Sequence, residues 1–155
     1  MSERREIAMT RHYDAPREHV WAAWTEPHRL ATWWGKRGWH VDPATVEMDV
    51  RPGGRFALTS EDARGNRMPQ AAVYREVVAP ERLVIDEPAE DNWHGGAVTT
   101  VTFTDLGDGR TRMDFRASIA ATEEMAQTAA GGIADTLDRL GEHLTTTEHT
   151  EEQNE

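Results

Sequence analysis

The stretch VTFTDLGDGRTRMDFRASIAATEEMAQTAAGGIADTLDRLGEHL, Val101–Leu144, holds a hairpin and a helix that need each other. Val101 and Phe103 lead into DLGDGR, whose Gly-Asp-Gly supplies the positive backbone angles of a tight turn. On the return, Thr111, Met113, Phe115, Ala117 and Ile119 fall on one face, and Arg110, Arg112, Asp114, Arg116 and Ser118 on the other. That alternation belongs to an antiparallel strand wet on one side only. Thr122 then opens a helix with Glu123 and Glu124 in its first turn, where carboxylates suit the helix dipole. Met125, Ala129, Ile133, Leu137, Leu140 and Leu144 follow at steps of three or four residues and form one apolar stripe. The sheet has a face to cover and the helix a face to bury, so the helix lies on the sheet.

Upstream the same period-two pattern repeats. Leu83–Glu87 reads as a strand after the APERL turn, and Met68–Val78 as a longer one, with Gln70, Ala72 and Tyr74 on one face and Ala71, Val73 and Arg75 on the other. Val46, Met48 and Val50 alternate with acids, RPGG turns at Arg51–Gly54, and Phe56 and Leu58 resume on a new strand. Before these, Glu6–Tyr13 reads as a first strand. DAPREHVWAAWTEP is a short helix between Pro16 and Pro27, and PHRLATWW a second one ending at Gly35. The order is strand, two short helices, about six antiparallel strands and a long C-terminal helix, without internal repeat.

With 155 residues the chain fits one domain and one core. Seventeen Lys and Arg against 28 Asp and Glu leave a net charge of −11, which opposes nucleic acid and anionic membrane as partners. The absence of cysteine excludes disulfides and thiol chemistry and fits a reducing, cytoplasmic setting. MSERREIAM carries charges where a secretory signal needs an apolar stretch, and no run approaches bilayer length, so membrane insertion is not expected. The polar, acidic TTTEHTEEQNE suggests a disordered tail over residues 145–155, leaving 1–144 as the domain.

Six fragments carry a resemblance: DAPREHVWAAWTEP, WWG at Trp33–Gly35, MDVRPGGRF at Met48–Phe56, YREVVAPERL at Tyr74–Leu83, VTFTDLGDGRTRM at Val101–Met113, and GGIADTLDRLGEHL at Gly131–Leu144. In this order they resemble the START-like (SRPBCC) superfamily, and within it the bacterial branch named after the ATPase activator of the ninety-kilodalton heat-shock chaperone. The resemblance implies an α+β helix-grip fold, a curved antiparallel sheet of six to seven strands wrapped around a long C-terminal helix. It also implies a hydrophobic cavity between sheet and helix, with no assigned catalytic residue and no cofactor. Where the family usually has an aromatic after the helix glycine this chain has Ile133, which should leave more space beside Gly131 and Gly132.

The expected function is therefore binding of an apolar or aromatic small molecule. The wall residues are Trp34, Trp39, Phe56, Tyr74, Phe103, Met113, Phe115, Met125, Ala129 and Ile133, with Gln70, Tyr74 and the His94 region of EDNWHGG as polar groups that could orient a guest. Two readings of ATWWGKRGW, Ala31–Trp39, stay open: a core plug, or a hinged cavity wall. The helix glycines likewise mark either close packing or deliberate space. Lys36 and Arg37 would meet a ligand carboxylate or simply surface acids. The seven histidines show no metal-ligand spacing, and no phosphate loop, zinc helix or nucleophile elbow occurs. Alternatives are an enzyme similar to the polyketide aromatases and cyclases, and a co-chaperone; a chaperone partner is disfavoured because the chain lacks the namesake's additional N-terminal domain. An exposed sheet edge leaves room for a homodimer.

Overall fold

The structure, a computed structural model, describes residues 3–88 and 96–153. Strand β1 (Glu3–Tyr13) is followed by helices α1 (Arg17–Thr25) and α2 (Pro27–Trp33). Next come β2 (Trp39–Val41), a 3-10 turn (Pro43–Thr45), β3 (Glu47–Met48) and β4 (Arg55–Asp62). Strands β5 (Arg67–Val78), β6 (Arg82–Glu87), β7 (Ala97–Gly107) and β8 (Arg110–Ala121) lead to α3 (Glu123–Gln153). One antiparallel sheet runs β1-β8-β7-β6-β5-β4-β2, with β3 paired to β4 off that path. This is the curled antiparallel sheet with a long C-terminal helix that the helix-grip reading anticipates.

Local chemistry explains the elements. The β7–β8 hairpin pairs Gly107 with Arg110 across Asp108 and Gly109, whose φ values of 56° and 71° are the positive pair that a two-residue hairpin turn demands. In the RPGG turn a Cβ on Gly54 would fall 1.9 Å from the Asp49 carbonyl oxygen, so only glycine fits there. Thr122 caps α3, its Oγ1 accepting from the Met125 amide at 3.2 Å. The helix runs past Leu144 to Gln153, so the acidic segment expected to start a tail at residue 145 begins inside it.

Along each strand the inner face is buried as the alternation requires: Met113, Phe115 and Ala117 on β8, Val101 and Phe103 on β7, Leu83 and Ile85 on β6, Ala72 and Tyr74 on β5. Against it pack Trp24 and Leu30 of α1 and α2 and Leu137, Leu140 and Leu144 of α3. At Gly141 the helix comes close to β1: an added Cβ would lie 3.3 Å from Tyr13 Cε1. One turn earlier the Tyr13 hydroxyl donates to the Leu137 carbonyl at 2.9 Å. Among the described residues no helix is long and apolar enough to cross a membrane.

Candidate functional site

Every central strand's inner face divides into two halves. One half lies among the core residues gathered around α1 and α2: Phe56 and Leu58 on β4, Ala72 and Tyr74 on β5, Leu83 on β6, Val101 and Phe103 on β7, and Met113 on β8. The other half faces a cavity of about 510 Å³: Ser60, Met68 and Gln70, Ile85 and Glu87, Ala97 and Thr99, then Phe115, Ala117, Ile119 and Ala121. Its opposite wall is α3, through Glu124, Met125, Thr128, Ala129, Gly132, Ile133, Thr136 and Leu137. Trp24 lines the cavity as well, with Trp34, Gly35, Lys36 and Trp39 at and before the start of β2. From Glu124 to Thr136 the helix rises about 18 Å along the cavity.

Of the residues expected on the wall, Trp34, Trp39, Gln70, Phe115, Met125, Ala129 and Ile133 line this cavity. Phe56, Tyr74, Phe103 and Met113 do not; they are sealed in the adjoining core, each at 1 % exposure or less. Their strands do turn them inward, but at the end where α1 and α2 already fill the space. The Tyr74 hydroxyl is buried and finds no hydrogen-bond partner among the described residues, and burial, helped by the charge of Asp49, pushes its pKa up. It therefore does not face the cavity, where it was expected to orient a guest. The His94 region lies outside the described residues. Ile85, Ala117, Ile119, Met68, Thr99 and Trp24 are among the lining residues that sequence reasoning did not assign to the site.

The tryptophan segment divides residue by residue. Trp33 is fully buried, its Nε1 donating to the Ala23 carbonyl at 3.0 Å, so this indole is a core plug. Trp34 packs edge-on to Trp24 at 5.9 Å and at a tilt to Phe56 at 5.4 Å, while its Nε1 donates to Gln70 Oε1 at 3.1 Å. That bond ties the segment to strand β5 and holds the indole as a wall. Trp39 lies beside it on β2.

Gly131 and Gly132 answer to space rather than close contact. A Cβ on Gly131 would meet nothing within 4 Å, and one on Gly132 only the Lys36 side chain at 3.9 Å. Lys36 lines the cavity, whereas Arg37 pairs with Glu142 of α3. Lys36, Glu87 and Glu124 are the ionisable lining residues among those described, and no described cluster of His, Asp and Glu could hold a metal ion.

Sequence reasoning passed over Arg139. From α3 its Nη1 donates to the carbonyls of Gly35 at 2.8 Å and Trp39 at 3.0 Å, with longer contacts to those of Trp34 and Lys36, and its Nη2 to that of Thr32 at 3.3 Å. On the helix it falls on the polar flank of the stripe, where a guanidinium carries no signal of its own.

The fold has solved relatives. Protein NE0264 from Nitrosomonas europaea superimposes with a TM-score of 0.78 at 22% identity, over 93% of this chain and 96% of its own. An AHSA1 protein from Silicibacter pomeroyi gives 0.80 at 18% identity, over 92% and 99%. CalU16 from Micromonospora echinospora gives 0.67 at 23% identity, over 99% and 92%. A search of curated proteins found no match. These likenesses concern the fold. The model of the family described as Activator of Hsp90 ATPase homolog 1-like protein matches residues 14–145, nearly the whole domain just described, and the chain belongs to that family.

Proposed function

We propose that this protein binds an apolar or aromatic small molecule between α3 and the inner face of the sheet, as a cytoplasmic binding protein in preference to an enzyme. One observation carries the reading: a cavity of about 510 Å³ lined chiefly by apolar side chains, in the size range of small-molecule sites. The indoles of Trp34 and Trp39 and the ring of Phe115 offer faces for an aromatic guest, and Met68 and Met125 give adaptable contacts. Gln70, oriented by Trp34, is the polar group suited to fix the guest's direction.

The test is a titration with N-phenyl-1-naphthylamine, a neutral probe that brightens in apolar surroundings, together with thermal melting of the same samples. A saturable signal accompanied by a melting shift that grows with probe concentration supports the reading. A flat titration and an unmoved midpoint refute it.

A further inference from the structure

The segment between α2 and β2 forms part of the cavity wall, yet little of it belongs to the sheet. Gly35 at φ 97° and Gly38 at φ 93° bracket it with backbone angles that glycine adopts freely. Besides the Trp34 bond to Gln70 and the start of β2 at Trp39, it is held by one face of α3. Arg139 donates to carbonyls at Thr32, Gly35 and Trp39, Glu142 pairs with Arg37, and His143 Nδ1 lies 2.7 Å from Thr32 Oγ1. Arg139 reaches both ends of the segment with a single planar guanidinium, which lysine's point charge cannot reproduce.

We propose that Arg139 is the positioning residue of this wall: it clamps the Trp34–Trp39 segment against α3, and release of the clamp widens the cavity and speeds a guest's entry and exit. The inference rests on the binding reading above for the guest's passage, but not for the clamp itself. Arg139 does not line the cavity; it acts through the carbonyls that aim Trp34 and Trp39.

The clamp is tested without ligand by hydrogen exchange. The Trp34 and Trp39 amides, bonded to the Leu30 and Lys36 carbonyls, should exchange roughly tenfold faster in Arg139→Gln and at an intermediate rate in Arg139→Lys, with the β7–β8 hairpin unchanged. Unchanged exchange at the two tryptophans, or an acceleration spread evenly over the sheet, would overturn it.

The passage is tested by locking the segment. Lys36 Cβ lies 3.9 Å from the position of a Cβ on Gly132, within the range a disulfide spans, and the chain has no other cysteine. In the Lys36→Cys, Gly132→Cys double variant, oxidation should slow dissociation of N-phenyl-1-naphthylamine by about tenfold or more, and dithiothreitol should restore it, fold intact in both states. An equal rate in both states overturns the passage. Failure of the unmodified protein to bind the probe overturns the binding reading, and passage with it, while the exchange experiment still decides the clamp.

Discussion

Replacing Ile133 by Trp tests the cavity from inside. Ile133 packs against the core at its edge and turns the rest of its surface to the 510 Å³ space, between Gly132 and the helix residues that continue the wall. An indole there has room to extend into the void, so the empty variant should melt no lower than the unmodified protein. In a packed core the same substitution costs about 1–3 kcal/mol. Its effect on binding is opposite. For the unmodified protein at a probe concentration of 100 Kd, linkage gives about 2.7 kcal/mol, and at about 2–4 °C per kcal/mol the midpoint rises by about 5–11 °C. If the indole takes the guest's place and weakens binding about a hundredfold, the same concentration yields about 0.4 kcal/mol and a rise of about 1–2 °C. Differential scanning calorimetry of both proteins, with and without N-phenyl-1-naphthylamine, reads all four midpoints. A full rise retained in Ile133→Trp refutes the placement of the guest. A drop of several degrees in the empty variant refutes the statement that Ile133 faces a void.

Trp33→Phe should lower stability by about 2–3 kcal/mol through lost packing and the lost bond to Ala23, leaving probe affinity nearly unchanged, whereas Trp34→Phe should weaken the probe and cost less stability; equal effects in urea titrations and probe titrations would erase the division between plug and wall. Tyr13→Phe removes the buried donor to the Leu137 carbonyl and should cost about 1 kcal/mol, read as a shifted urea midpoint at constant slope. His143 has its pKa lowered by burial first, then by the nearby charges of Arg29 and His28. Its folded state favours the neutral ring, so stability is fully present above the ordinary value of 6.5 and declines as pH falls through 6.5 toward the depressed value. His143→Gln should flatten that decline, and a slope unchanged by the substitution would exclude His143 as its source.

Much of the fold was legible because its signals are local. The Gly-Asp-Gly turn, the prolines flanking α1 and α2, and the period of four along α3 each specify an element without help from elsewhere. Trp39–Val41 went unread as a strand, since three residues carry no measurable period and their partners on β4 lie some twenty positions away. The site was legible in direction but not in depth. Alternation assigns Phe56, Tyr74, Phe103 and Met113 to the inner face correctly, and nothing in a strand's own residues says that α1 and α2 cover one end of it while α3 stands off from the other. Ile119 and Ala121, at the far end of the same β8 face as Met113, meet the void for that reason. Arg139 was invisible for another reason, its partners being main-chain carbonyls, which every residue has.

The edge-on indoles have an optical consequence. Trp24, Trp33 and Trp34 stand 4.9 to 5.9 Å apart at interplanar angles of 60° to 88°, close enough for their transition dipoles to couple. Circular dichroism should therefore show an exciton couplet that a single tryptophan could not give, and excitation energy should pass among the three rings. Trp34 is the member of that antenna hydrogen-bonded to Gln70 at the cavity wall, so a guest resting on it would change the emission of the whole group. A guest bound as proposed would thus be readable from the protein's own fluorescence, without dye, label or mutation.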